Sequence, residues 1–386
     1  LKSLQHIRKF VSSEVVYGVN SIELVKFYVK NFEGRKALIV TDDGVIKAGW
    51  TKMITDSLEE GGVEYVVFSG ITPNPRSEEV MLGARIYDEN DCDVIVAVGG
   101  GSPMDCAKGI GIAYSNRQNI LQFEGVDNVE NPMPPLICVP TTAGTASEVS
   151  QFAIISVLGL KTKIAIISKT VIPDVAIIDP QVLISKNAYL TACTGMDALV
   201  HAIEAYVSNG SSPLTDLHAL EAVRLINSNL VESVNDLQNI ELRKNMMLGS
   251  LEAGFAFSNA SLGAVHAMSH SLGGRLDLPH GECNAVLLEH VIDYNYNSAP
   301  EKYKNIAEAM GIKPLGLTSD DYKKRLIERV KELKYNSGIT KSLAQMGVTK
   351  ELIPDLSLNA IKDACIITNP RKPAFEDIEV IYDYAL

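Results

Sequence analysis

No run of more than three consecutive lysines and arginines occurs in the 386 residues, and the formal net charge is −12. Nucleic-acid binders carry a basic face, so no nucleic-acid partner is expected. The acidic balance speaks to solubility and names no partner. No apolar stretch approaches the ~18 residues of a membrane helix, so no membrane partner is expected either. The N-terminal LKSLQHIRKFVSSEVVYG is interrupted by lysine and arginine and lacks the apolar core of a leader peptide. The six cysteines, at 92, 106, 138, 193, 283 and 365, are scattered without a C-x-x-C. That pattern suits free thiols in a reducing cytoplasm better than a disulfide framework. Internal repeats and low-complexity linkers are missing as well. What remains is a globular composition, 46% hydrophobic and 21% charged with 28 glycines.

A chain of this length exceeds one compact core, which predicts two domains. The first half alternates short β-branched runs with helical stretches. KALIVTDD (36–43) is a strand entering a turn, with a helical pattern continuing toward Glu60; VEYVVFSG is a second strand, and SEEVMLGARIYDEN the helix after it. CDVIVAVGGGSPMDCAKGIGI repeats the form as strand, glycine turn and helix, and PLICVPTTAGT and PDVAIIDP add two further strands. Continuous apolar strands between helices predict a parallel sheet covered on both faces. From SKNAYLTACTGMDALVHAIEAYV onward the spacing is helical, so the boundary falls near Ile184: an α/β domain over 1–184 and an all-helical domain over 185–386.

Gly99, Gly100 and Gly101 directly follow a buried strand and open a helix. Glycines there admit close approach of a ligand to the backbone, and the free N–H groups at a helix start suit a pyrophosphate. The run is not the GxGxxG fingerprint, and glycine turns without a ligand are common. Asp42, ending the first strong strand, is placed to accept from an adenosine ribose and to repel the extra phosphate of NADP; Asp43 is its alternative, and either could simply cap a helix. Thr141, Thr142 and Thr145 in VPTTAGTASE form a second candidate cofactor loop, though such residues often only make turns.

GAVHAMSHSLGGRLDLPHGE (263–282) holds three of the seven histidines. Asp197 and His201 lie at i and i+4, as do His266 and His270, and His280 follows a short loop. One carboxylate with three imidazoles suits Fe(II) or Zn(II). Any one of these histidines alone would pass for a hydrogen-bonded interior residue, but two i,i+4 pairs favour a shared site. Spacing does not say which of His266, His270 and His280 stays unligated. A nicotinamide half beside a metal half points to reversible hydride transfer between an alcohol and a carbonyl, with the metal as Lewis acid.

GGGSPMDCAKGI, PTTAGTASEV, GMDALVHAIEAYVS and GAVHAMSHSLGGRLDLPHGECNAVLLEHVIDYN together resemble the iron-containing (group III) alcohol dehydrogenases, a likeness running from about Val16 to TNPRKPAFEDIEVIY. The resemblance implies a Rossmann-like parallel sheet followed by a helical domain, the dehydroquinate synthase-like architecture. It implies metal ligation by Asp197, His201, His266 and His280, and leaves His270 for proton transfer or positioning near the nicotinamide. It places the pyrophosphate on Gly100, Gly101 and Ser102 with Asp105 close by, and adenosine on Asp42, hence NAD. Further cofactor positions fall on Asn74, Thr141, Thr142, Thr145 and Lys163, and substrate-pocket positions on Phe257 and Cys365. It also implies a homo-oligomer, a dimer or larger. One departure is Glu289, where relatives often have proline, which puts the local backbone in question.

The resulting expectation is an NAD-dependent dehydrogenase of small primary alcohols or diols. A zinc glycerol dehydrogenase and a dehydroquinate-synthase-like lyase share the architecture and stand as alternatives. The lyase would need several basic residues for a polyanionic substrate, and SLEAGFAFSNASLG offers small and aromatic ones. A non-catalytic metal-binding protein would need no nicotinamide loop.

Overall fold

The run VIVAVG, strand β4 below, is buried at all six positions, as expected of a strand with helices on both faces. The computed structural model describes residues 9–160, 162–313 and 316–386. The N-terminal stretch considered above as a leader lies partly outside them, up to Arg8.

The elements of the first half are β1 (Glu14–Tyr17), α1 (Val25–Asn31), β2 (Lys36–Val40), α2 (Asp43–Lys47), α3 (Trp50–Gly61), β3 (Glu64–Phe68), α4 (Ser77–Glu89), β4 (Val94–Gly99), α5 (Gly101–Asn116), β5 (Gly125–Val126), β6 (Leu136–Pro140), β7 (Phe152–Val157), β8 (Thr162–Ile167) and β9 (Val175–Ile178). Six strands form one sheet in the order β1-β9-β6-β4-β2-β3, parallel throughout. From β2 onward this is the doubly wound 2-1-3-4-5 order, whose direction of winding reverses between β2 and β4. Ligands of such sheets bind beyond the strand C-termini at that reversal. Here those ends run into Thr41-Asp42 and Gly99-Gly100. Alternate residues reach opposite faces: Ala37 and Ile39 join one buried cluster, Leu38 and Val40 the other.

Two features depart from the sequence expectation. The single helical pattern toward Glu60 is two helices, split at Gly49, whose φ of 87° is left-handed. A second, three-stranded sheet, β5-β8-β7, was not foreseen; its β7 and β8 pair antiparallel from Phe152↔Ile167 to Val157↔Thr162.

After β9 and a 3-10 segment at Pro180–Ser185, the described elements are helical: α6 (Ala188–Val207), α7 (Pro213–Asn235), α8 (Ile240–Ala260), α9 (Ala264–Leu276), α10 (His280–Asn295), α11 (Pro300–Ala309), α12 (Ser319–Asn336), α13 (Ile353–Ala360) and α14 (Phe375–Ala385). Their apolar faces join the cluster on one side of the large sheet, so the two halves share a continuous core. Glu289 does not disturb α10. Its carboxylate accepts from Lys334 Nζ of α12 at 2.7 Å, a largely buried pair in which the lysine offsets a charge that would otherwise be uncompensated.

Candidate active site

Three helices deliver the carboxylate and imidazoles. Asp197 and His201 sit one turn apart on α6, His266 and His270 one turn apart on α9, and His280 opens α10. Asp197 Oδ1 lies 3.6 Å from His280 Nε2 and 3.9 Å from His266 Nε2, and its Oδ2 3.9 Å from His201 Nδ1. Donor atoms of Asp197, His201 and His266 all lie within 4.8 Å of one another. These gaps exceed hydrogen bonds but match ligands around a shared ion at ~2.0–2.2 Å from each.

The electrostatics fit a divalent cation. Burial pushes His201 down to about 3, and His266 and His280 well below the usual imidazole range, so all three are neutral near pH 7 and offer lone pairs. Burial pushes the Asp197 carboxyl up, the signature of an anion short of counter-charge. His201 Nδ1 is buried without a hydrogen-bond partner among the described residues. The outward nitrogens of the other two are occupied: His266 Nδ1 by Glu204 Oε2 at 2.7 Å and His280 Nδ1 by Ser269 Oγ at 3.1 Å. An Nδ1–H donated to Glu204 leaves the His266 Nε2 lone pair facing Asp197.

His270 differs in its partner. Its Nδ1 donates to Asp363 Oδ2 at 2.8 Å, while its ring stacks on His280 with centroids 5.4 Å apart. Asp363 Oδ1 in turn accepts from Cys365 N at 2.8 Å, so His270, Asp363 and Cys365 form a second close group.

A cleft of about 760 Å³ runs along the strand ends and is lined by Asp42, Asn74, Gly100, Gly101, Ser102, Thr141, Thr142 and Thr145, with Asp197 and His280 at its inner end. It suits a dinucleotide. The N-terminus of α5 has no side-chain cap, so its first N–H groups remain for an anion. A Cβ on Gly101 would come within 2.9 Å of Thr145 Cγ2, so glycine lets the threonine loop close over the helix start. Thr141 Oγ1 is buried in the wall without a hydrogen-bond partner among the described residues. Asp42 does cap a helix: its Oδ1 accepts from Gly44 N at 2.8 Å and Val45 N at 3.0 Å, while its carboxylate still faces the cleft. Asp43 lines it too.

A smaller cavity of about 120 Å³ opens off the cleft; Asn74, Gly101, Ser102, Thr145 and His280 line both spaces. Its wall carries Phe152, Ile154, Phe257 and Leu262 opposite His201, His266 and His270. Phe257 stacks on His201 with centroids 4.4 Å apart. Cys365 is not among the lining residues and sits buried behind His270. Lys163 Nζ donates to Asn74 Oδ1 at 2.7 Å, and Asn74 Nδ2 to Asp277 Oδ1 at 2.6 Å, so one side chain spans sheet and helices. Asp105, lining the cavity, accepts from Ser147 Oγ at 2.5 Å and from Ile154 N at 3.2 Å.

The sequence reading missed Glu204, Ser269, Asn284, Asp363 and Asp277. Glu204 had a signal: with Asp197 and His201 it completes an i, i+4, i+7 stripe on an otherwise apolar helix.

Two family models match the chain, "Iron-containing alcohol dehydrogenase" over residues 12–180 and "Fe-containing alcohol dehydrogenase family, C-terminal" over residues 191–386. The chain is 44% identical over 371 residues to the 1,3-propanediol dehydrogenase of Klebsiella pneumoniae, covering 96% of each. It is 38% identical over 377 residues to the NAD-dependent methanol dehydrogenase of Bacillus methanolicus, covering 98% of this chain and 99% of the other. A crystal structure of a 1,3-propanediol oxidoreductase superposes with a TM-score of 0.96 at 42% identity, over 98% of this chain and all of the other. The chain belongs to the iron-containing alcohol dehydrogenase family.

Proposed function

We propose that the protein interconverts a small primary alcohol or diol, with a 1,3-diol the favoured substrate, and its aldehyde or ketone. It is a metal-assisted, NAD-dependent oxidoreductase of small alcohols and diols. The carrying observation is continuity: the residues shared by the dinucleotide-sized cleft and the inner cavity bring a nicotinamide beside the Asp197–histidine group.

Oxidation removes a hydride from carbon and a proton from oxygen. When bound, a divalent ion, Fe(II) or Zn(II), would supply Lewis acidity toward the alcohol oxygen and NAD would supply the hydride acceptor. Asp197, His201, His266 and His280 would hold the ion. Gly100, Gly101 and Ser102 would bind the pyrophosphate, with Asp105 and Thr142 supporting that loop. Asp42 would orient the adenosine ribose, and Asn74, Lys163, Thr141 and Thr145 the remainder of the dinucleotide. His270, its Nδ1 proton held by Asp363, presents Nε2 as the acceptor for the departing proton. Phe257 forms the apolar wall, and Cys365 backs His270. At about 120 Å³ the cavity is well below the ~300–1,000 Å³ of drug-sized sites, which favours short substrates.

A lyase with a polyanionic substrate is disfavoured, since among the described residues the single lysine or arginine lining the inner cavity is Lys163, already bonded to Asn74. We assign the domains to 1–184 and 185–386 in a dehydroquinate synthase-like arrangement, supported by the last strand ending at Ile178 and α6 starting at Ala188. Cytoplasmic residence is supported by six buried, unpaired cysteines. No helix among the described residues is long and apolar enough to cross a membrane. A homo-oligomer is proposed from the frequency of symmetric assembly.

The test is anaerobic purification with Fe(II), then NADH absorbance with butanol, 1,2-propanediol, 1,3-propanediol and glycerol, with chelator and Zn(II) controls. Chelator-sensitive NADH formation, fastest with 1,3-propanediol, is expected. No turnover with metal and NAD both bound would overturn the dehydrogenase reading in favour of the lyase.

A further inference from the structure

Asn284 sits one turn after His280 on α10 and is fully buried. Its Nδ2 lies 2.6 Å from Asp197 Oδ1, 3.2 Å from His266 Nε2 and 3.2 Å from His280 Nε2. Its Oδ1 is buried with no hydrogen-bond partner among the described residues. The amide nitrogen has two hydrogens for three acceptors, while the oxygen has none to accept. A buried amide this unevenly satisfied is costly by itself.

The surplus of acceptors around the amide nitrogen has a physical resolution. The two imidazole nitrogens are the same atoms whose lone pairs face Asp197, and a cation would engage them. The amide would then donate to Asp197 Oδ1 alone, by the shortest of its three contacts. We propose that Asn284 is a positioning residue of the metal site. It holds the Asp197 carboxylate in one orientation and fills the gap between His266 and His280, and so sets how tightly a divalent ion is retained. Groups that orient ligands from behind typically govern metal affinity by 10–100-fold. Leucine at this position would keep the gap filled but remove the donor that fixes the carboxylate, and alanine would remove both. This inference rests on the ligand set assigned under the proposed function.

The test is titration of the metal-free full-length protein with Co(II), anaerobically, following the visible d–d absorption against a competing chelator. Wild type is compared with Asn284→Leu, close in volume and without polar atoms, and with Asn284→Ala. Thermal melts of the metal-free proteins serve as folding controls. Both variants should bind cobalt ~10–100-fold more weakly than wild type, with shifted absorption bands, while Asn284→Leu melts near the wild-type temperature. Affinity within about twofold and an unchanged spectrum in Asn284→Leu would overturn the role. Weakening in Asn284→Ala alone would also overturn it, because packing would then suffice. If wild type itself takes up no cobalt, the ligand assignment falls and the role falls with it; a normal wild type beside an unaffected Asn284→Leu rejects the role alone.

Discussion

Glu204 Oε2 accepts the Nδ1 proton of His266 at 2.7 Å, joining α6 to α9 behind the Asp197–histidine group. The same carboxylate accepts Gly263 N at 3.1 Å and Val265 N at 2.7 Å, the amides at the entrance to α9. One side chain therefore sets both the tautomer of His266 and the start of the helix that carries it.

Replacing Glu204 by alanine should accordingly have two effects. Loss of the imidazole's partner should weaken metal binding by ~10–100-fold. The orphaned amides, at ~1–3 kcal/mol for each buried unsatisfied group, should lower the melting temperature of the metal-free protein. Glu204→Gln, which retains an acceptor for one amide, should lose less stability. Chelator competition and calorimetry separate the effects; full metal affinity in the alanine variant would reject the positioning role.

Asp42 offers a cleaner test of cofactor choice. Its charge faces the cleft, but its Oδ1 also caps α2 through Gly44 and Val45. Asp42→Gly should raise the ratio of kcat/KM for NADP over NAD by ~10-fold or more, since like-charge repulsion of the extra phosphate is removed. Glycine is a tolerable cap, so stability should drop only a few tenths of a kcal/mol, against ~0.5–2 kcal/mol for Asp42→Ala. An unchanged cofactor ratio would sink the adenosine assignment.

Glu148 yields a pH prediction away from the Asp197–histidine group. It is 2% exposed, and burial raises its carboxyl from 4.5 to about 7, with Lys108 opposing. The folded state thus holds a proton that the unfolded chain releases at lower pH. Stability from this group is fully present below about 4.5 and is lost as pH rises through about 7. At roughly 1.4 kcal/mol per unit the loss is on the order of 3 kcal/mol. Glu148→Gln lacks it, so in urea titrations of metal-free protein the variant should gain on wild type between pH 4.5 and 8. A constant difference across that range would mean that Glu148 is ionised throughout.

How far the site could be read from sequence follows from which contacts are local. The i,i+4 pairs Asp197/His201 and His266/His270 are written in helical spacing, and Gly99 to Gly101 after a buried strand marks the anion end of α5. Which histidine of α9 stays apart is not local: 266 and 270 share a face, and what engages His270 is Asp363, 93 residues away. Asn284 and Ser269 escaped notice because an amide or hydroxyl in an apolar helix has no partner until α9 and α10 cross. The β7–β8 pair went unread for a related reason: FAIISV and TKIAII become strands of one sheet only by their register. Asp42 shows that two readings need not exclude each other, since it caps a helix and faces the cleft.

His270 and Asp363 carry the last prediction. His270 lines the inner cavity, its ring lies on His280, and its Nδ1–H is fixed by Asp363 at 2.8 Å. A proton acceptor held this way should speed turnover without holding the ion. His270→Ala should therefore lower kcat by ~10²–10⁴-fold, the usual range for losing a positioned acid–base group, while metal content stays near wild type. Asp363→Asn retains a hydrogen-bond acceptor but removes the charge that stabilises an imidazolium, so kcat should fall in the same direction and by less, with KM for NAD unchanged. His266→Ala is the contrast, expected to lose metal and activity together. Metal loss in His270→Ala equal to that in His266→Ala would make His270 a ligand and shift the proton's acceptor elsewhere. Metal retention with a large fall in kcat separates the two histidines of α9, which their shared spacing could not.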